Sequence, residues 1–169
     1  MPIRGLNHAV LFVRDAQRSA RFYREVLGFR EKVSLPNAVF LQAPESDNDH
    51  DLGLFGIGDQ AEASPAGRAT VGLYHLAWEV PTLADLRDHR ARLAAAGALV
   101  GASDHGTTKA LYAKDPDGLE FEVSWLVPHE LIGDQVEVTT RPLDLDAEIE
   151  RYGADRVGAL TRVRGTARA

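Results

Sequence analysis

The chain has 169 residues, a net charge of −6, 44% hydrophobic and 26% charged residues, and no cysteine. These values suit a soluble globular protein and exclude disulfides and thiolate metal sites. No Lys/Arg cluster forms the basic stripe of a nucleic-acid binder, and no apolar run approaches the roughly 18 residues of a membrane span. Met1-Pro2-Ile3-Arg4 lacks the charged-then-apolar character of a signal segment. A cytoplasmic protein is expected, holding any metal through nitrogen and oxygen ligands.

Alternating apolar and polar residues predict a first strand over about 5–13. Asp15 can cap a helix over 15–27, where Ala16, Ser19, Ala20, Phe22, Tyr23, Val26 and Leu27 recur at helical spacing before Gly28. Strands follow at about 29–35, 38–43 and 50–57. Residues 58–70, with Gly58, Ser64, Pro65 and Gly67, read as a linker. The order then repeats: a strand at 72–80, a helix at 82–96 behind Thr82 and closed by Gly97, and strands at 98–103, 109–115 and 119–126. The predicted fold is α+β, with two βαβββ modules (about 5–57 and 71–127) in a single domain, 1–128. Residues 129–169 form a C-terminal extension with a short helix near 143–152 and a tail, carrying Arg162, Arg164 and Arg168, that is expected to fray.

The repeat carries chemistry. Gly5-Leu6-Asn7-His8-Ala9 and Gly72-Leu73-Tyr74-His75-Leu76 place one histidine at the same point of each opening strand, which is expected to hold it mid-strand. Taken singly, each is as well explained as a solvated or core histidine. Their recurrence favours two halves facing one site, and two imidazoles need only one carboxylate to complete a metal centre. Glu122 is a candidate. In Leu119-Glu120-Phe121-Glu122-Val123-Ser124-Trp125, period two puts Phe121, Val123 and Trp125 on the core face and Glu120, Glu122 and Ser124 on the exposed one. An exposed strand face with two acids is common, so Glu122 gains meaning only beside the histidines.

Four strings resemble the vicinal oxygen chelate superfamily: Gly5-Leu6-Asn7-His8; Phe22-Tyr23 with Val26-Leu27-Gly28-Phe29; Gly72-Leu73-Tyr74-His75-Leu76-Ala77; and Asp115-Pro116-Asp117-Gly118-Leu119-Glu120-Phe121-Glu122. Two others, His50-Asp51-Leu52-Gly53-Leu54-Phe55 and Ser103-Asp104-His105-Gly106-Thr107-Thr108-Lys109-Ala110-Leu111-Tyr112, are similar to one-domain type I extradiol catechol dioxygenases. The resemblance covers residues 5 to about 128. It implies paired βαβββ modules whose mixed sheet curls around a metal cleft, with His8, His75 and Glu122 as ligands of Fe(II), or of Mn(II) or another divalent ion. It also implies that His50 takes a proton from the substrate, and that His105 and Tyr112 hydrogen-bond it. Each has a plainer reading: His50 in a solvated acidic turn, His105 in a turn before Gly106, Tyr112 as a half-buried strand aromatic. His89 and His129 read as surface or tail residues.

The first-half position matching Glu122 is Phe55, where glyoxalase I carries a further ligand. Its absence leaves room for a bidentate catecholate and O2. Two departures from the family pattern stand out: Leu119 where Asn usually follows the Asp-Pro-Asp-Gly turn, and Asp49 where a second histidine often precedes His50. The implied partners are a small aromatic diol and O2, and a homodimer is the default assembly. Two other readings remain open: a metal-dependent isomerase, epimerase or thiol transferase of the same superfamily, and a small-molecule or antibiotic-binding resistance protein without turnover. The ligand set separates the last from the enzymes.

Overall fold

Asp15 starts the first helix as its sequence suggests. Its carboxylate accepts hydrogen bonds from the amides of Gln17 (2.8 Å) and Arg18 (3.1 Å), satisfying two donors that a helix N-terminus leaves open. In this computed structural model, which describes residues 3, 5–132 and 139–159, that helix is α1, Ala16–Leu27. It buries Ala16, Ser19, Ala20, Tyr23 and Leu27 along one stripe and stops at Gly28, whose φ of 80° is open to a residue without a Cβ. Around it run β1 (Ala9–Val13), β2 (Arg30–Leu35), β3 (Ala38–Gln42) and β4 (Leu52–Gly56). The sheet order is β1-β4-β3-β2, with β1 parallel to β4 and the other pairs antiparallel.

The second half builds the same unit. Strand β5 is Leu76–Glu79 and α2 is Leu83–Ala95, followed by β6 (Leu99–Asp104), β7 (Thr108–Lys114) and β8 (Glu120–Leu126). A capping box joins Thr82 to Asp85 at the start of α2, which buries Leu83, Leu86 and Leu93. Strand β5 is parallel to β8, as β1 is to β4, so both halves are βαβββ modules of one topology within an α+β fold.

Three expectations change. Strands β1 and β5 begin at Ala9 and Leu76, so His8 and His75 lie one residue ahead of them rather than mid-strand. Glu122 and Ser124 are buried like Phe121, Val123 and Trp125. Strand β8 lies between β5 and β7, so side chains from both sides flank Glu122: Tyr112 registered opposite it on β7 and His75 just ahead of β5. The extension also adds a strand, because β9 (Arg141–Pro142) pairs with β6 as a fifth strand of the second sheet. Pro142 suits that edge, where a missing N–H breaks no interior ladder. The predicted helix follows as α3, Leu145–Tyr152, while Arg162, Arg164 and Arg168 fall outside the described residues. Among the described residues no helix is long and apolar enough to cross a membrane.

Contacts divide the chain into two compact units: Met1–Val71 with Asp115–Leu119, and Gly72–Lys114 with Glu120–Ala169. The Asp-Pro-Asp-Gly turn thus belongs with the first unit. Asp115 closes it by accepting from the amides of Asp117 and Leu119, both at 2.9 Å, so Leu119 fits the turn without an asparagine side chain. Asp117 then meets Arg14 (3.0 Å) and Arg18 (2.6 Å). Burial favours its neutral form, but the Arg14 amide and the two guanidinium groups outweigh burial and hold its pKa below the ordinary carboxylate value. A folded pKa below the unfolded one means that the stabilisation is complete above the unfolded value near 3.9 and is lost as pH falls below it, through the folded pKa. Asp117→Asn should therefore destabilise the fold by about 1–3 kcal/mol at neutral pH. It should also flatten the loss of stability below about pH 4, read by urea denaturation across a pH series.

Candidate functional site

Each unit brings part of the expected site together. In the first, the rings of His8 and His50 lie tilted against each other with centroids 4.6 Å apart, and Phe40 meets His50 edge-on at 5.0 Å. The Asn7 side-chain oxygen lies 2.7 Å from His8 Nδ1 and the Asp49 carboxylate 3.0 Å from His50 Nδ1. An acceptor at Nδ1 puts the ring proton there and leaves Nε2 with a free lone pair, as a metal ligand or a base requires. Asp49 serves as that acceptor because it is ionised: its hydrogen bond to His50 lowers its pKa. The departure at position 49 therefore aims the ring of His50. The flanking acids do not leave His50 in a wholly solvated turn, since its side chain is 20% exposed against 89% for Asp49.

The second unit holds the other expected residues. His75 Nε2 and Glu122 Oε2 are 3.4 Å apart, at the start of β5 and on β8. Tyr112 on β7 is registered opposite Glu122, and its hydroxyl is 2.8 Å from His105 Nε2. Burial raises the pKa of Tyr112 first, the charge of Glu122 adds to the effect, and the phenol is pushed up to about 12. Tyr112 is thus a neutral hydrogen-bonding group at any physiological pH. His89 hydrogen-bonds the Asp85 carbonyl of its own helix, and His129 is exposed in a 3₁₀ turn, so neither joins these clusters.

The donors fit a divalent ion. Glu122 is only 8% exposed, and a buried carboxylate is costly without a compensating charge. The buried Nδ1 of His75 has no hydrogen-bond partner. His75 Nε2 and Glu122 Oε2, 3.4 Å apart, are close enough that both would ligate one ion. Among the described residues no group of three or more His, Asp or Glu side chains is gathered ready for a metal, so this pair is a two-residue nucleus.

Sequence reasoning missed the groups behind His105. The Thr139 carbonyl is 3.0 Å from His105 Nδ1, and Thr140 Oγ1 is 3.3 Å from it. Below this turn, Lys109 is 1% exposed and is paired with Asp104 and with Glu148 of α3. A lysine beside Ala110 and Leu111 inside a strand was a legible signal of a buried ion pair. Thr139 carried no such signal, because its contact is made by the backbone from a distant part of the chain.

Two βαβββ modules of one topology, with an imidazole–carboxylate pair at the head of the second, define the vicinal oxygen chelate class. Residues 5–123 match the glyoxalase/bleomycin resistance protein/dioxygenase superfamily, and the chain belongs to it. It is 31% identical to a catechol-2,3-dioxygenase of Bacillus subtilis (strain 168) over 162 residues, 92% of this chain and 54% of that protein. It is 37% identical to biphenyl-2,3-diol 1,2-dioxygenase 3 of Rhodococcus globerulus over 121 residues, 70% and 61% of the two. The chain therefore spans between half and two-thirds of the curated relatives it matches. A glyoxylase/bleomycin resistance protein/dioxygenase domain from Frankia sp. EAN1pec has a similar fold, with a TM-score of 0.60, 25% identity, and coverage of 73% of this chain and 92% of that one.

Removing the charge opposite Tyr112 should be visible spectroscopically. In Glu122→Gln the phenol should ionise at lower pH than in the parent protein, while burial keeps it above the ordinary value near 10. Ultraviolet titration checks this, with Tyr112→Phe identifying which tyrosine step has moved.

Proposed function

We propose that the protein is an extradiol dioxygenase that opens a catechol-like ring beside its two hydroxyls with O2, using Fe(II) held by His8, His75 and Glu122. The observation that carries this reading is the pairing of the buried Glu122 with His75, with Tyr112 registered opposite Glu122. Similarity to two proteins named as ring-diol dioxygenases supports the same reaction class. A set of two imidazoles and one carboxylate also suits Mn(II) or another divalent ion, and it leaves coordination positions open. The domain over 1–128 would supply all three ligands, and a homodimer is the assembly we expect.

When bound, the ion would bring the diol and O2 to one centre and let electron density pass between them. The side chains supply proton handling and orientation. His50, with Nδ1 held by Asp49, has Nε2 free to accept a proton from a diol hydroxyl, and an imidazole can return it at neutral pH. Tyr112, backed by His105, presents a hydroxyl oxygen that can accept a hydrogen bond from a diol hydroxyl and fix the ring. Phe40, packed against His50, offers an apolar edge to the ring.

Anaerobic loading with Fe(II), followed by oxygen-uptake assays over substituted catechols, tests the reading. Uptake should accompany ring opening for at least one diol. Glu122→Ala should lose both iron and turnover while keeping its far-UV circular dichroism, and full activity in that variant would sink the triad. His50→Gln should keep iron and lower kcat by about 10²–10⁴-fold. A metal-retaining protein without uptake on any diol would point to an isomerase, epimerase or thiol transferase of the same superfamily.

A further inference from the structure

We infer that the C-terminal extension sets the hydrogen-bond direction at the site: the backbone carbonyl of Thr139 fixes His105 as its Nδ1–H tautomer and so turns the Tyr112 hydroxyl proton toward His105 and away from Glu122. Thr139 is then a positioning residue. It acts through His105 and Tyr112 and touches no reacting atom.

The chain of contacts allows few alternatives. A carbonyl oxygen can only accept, so its 3.0 Å contact with His105 Nδ1 requires a proton on that nitrogen. In the neutral ring Nε2 is then bare, and the Tyr112 hydroxyl, 2.8 Å away, must be the donor. That hydroxyl has one proton; His105 Nε2 lies within hydrogen-bond distance, and the Glu122 carboxylate stands on the residue registered opposite. The opposite tautomer would let Tyr112 donate to Glu122, but it would set the bare Nδ1 lone pair against the Thr139 carbonyl, two acceptors face to face. The carbonyl of a residue far along the chain thus decides where a strand phenol sends its proton.

Thr139 is held where this requires. Just after it, β9 pairs with β6 at Asp104↔Arg141 and Ser103↔Pro142, next to the turn that carries His105. From the other side, Glu148 of α3 and Asp104 share the buried ammonium of Lys109, tying helix and hairpin together. The buried ammonium thus ties the β6–β7 hairpin to α3 through charge on both sides. Within the proposed function, on which only this consequence rests, the effect is to keep the Glu122 lone pairs free for an ion and for His75.

Nitrogen-15 NMR of histidine-labelled full-length protein tests the inference without turnover or metal. Spectra are taken at about pH 8, above the ordinary imidazole pKa near 6.5, and the His105 signals are assigned by their loss in His105→Gln. His105 should show a protonated Nδ1 and an unprotonated Nε2, the minority pattern for histidine in water. Tyr112→Phe and Thr140→Ala should leave that pattern unchanged, since the Thr139 carbonyl is present in both. A dominant Nε2–H form in the parent protein would overturn the inference. So would a switch to that form in Tyr112→Phe, which would make Tyr112 the determinant, or in Thr140→Ala, which would make it the Thr140 hydroxyl. Oxygen uptake separates the two readings: the expected tautomer without uptake sinks the dioxygenase alone, and uptake with the wrong tautomer sinks the positioning role alone.

Discussion

A carboxylate buried on an interior strand is the constraint on which the rest of the second unit turns. Glu122 sits on β8 between β5 and β7, and its surroundings answer the cost of burying it: an imidazole 3.4 Å away and a phenol held neutral opposite it. Where the neighbours are a second potential ligand and a neutral phenol, the same burial becomes a reason to accept a cation.

The four candidate-site histidines divide by the partner at Nδ1. His8, His50 and His105 each have an oxygen there, from Asn7, Asp49 and Thr139. In each the reactive or bridging nitrogen is therefore Nε2. His75 differs, since its Nε2 faces Glu122 and its buried Nδ1 has no partner. Orientation of imidazoles by the atom behind them is a familiar way to tune ligands and bases. Here two of the three orienting groups come from the adjacent residue and one from the C-terminal extension, so local and long-range structure share the task.

That extension is more than a tail. Its strand completes the edge of the second sheet, its helix contributes an acid to a buried ion triad, and the backbone between Leu126 and Ala159 closes back on itself by a 3.0 Å hydrogen bond. Gly158 marks how tightly the returning chain packs, because a Cβ there would lie 2.6 Å from the Leu126 carbonyl oxygen and 2.8 Å from the Trp125 ring nitrogen.

The repeat was legible from the residues alone because its signals are local: Asp15 and Thr82 as caps, Gly28 and Gly97 as stops, and alternation along each strand. The sequence by itself therefore determined the order of elements, the doubling of the module and the residue types able to hold a divalent ion. It placed His8 and His75 slightly too deep in their strands and Glu122 on an open face, since neither a strand's first ladder bond nor the cover over its second face is written in period-two alternation. Only the tertiary structure decided that Glu122 is buried against His75 and Tyr112, that the Asp-Pro-Asp-Gly turn ties to Arg14 and Arg18, and that Thr139 stands behind His105. Those outcomes rest on contacts between residues far apart in the chain, and local pattern carries no record of which distant backbone atom will meet a side chain.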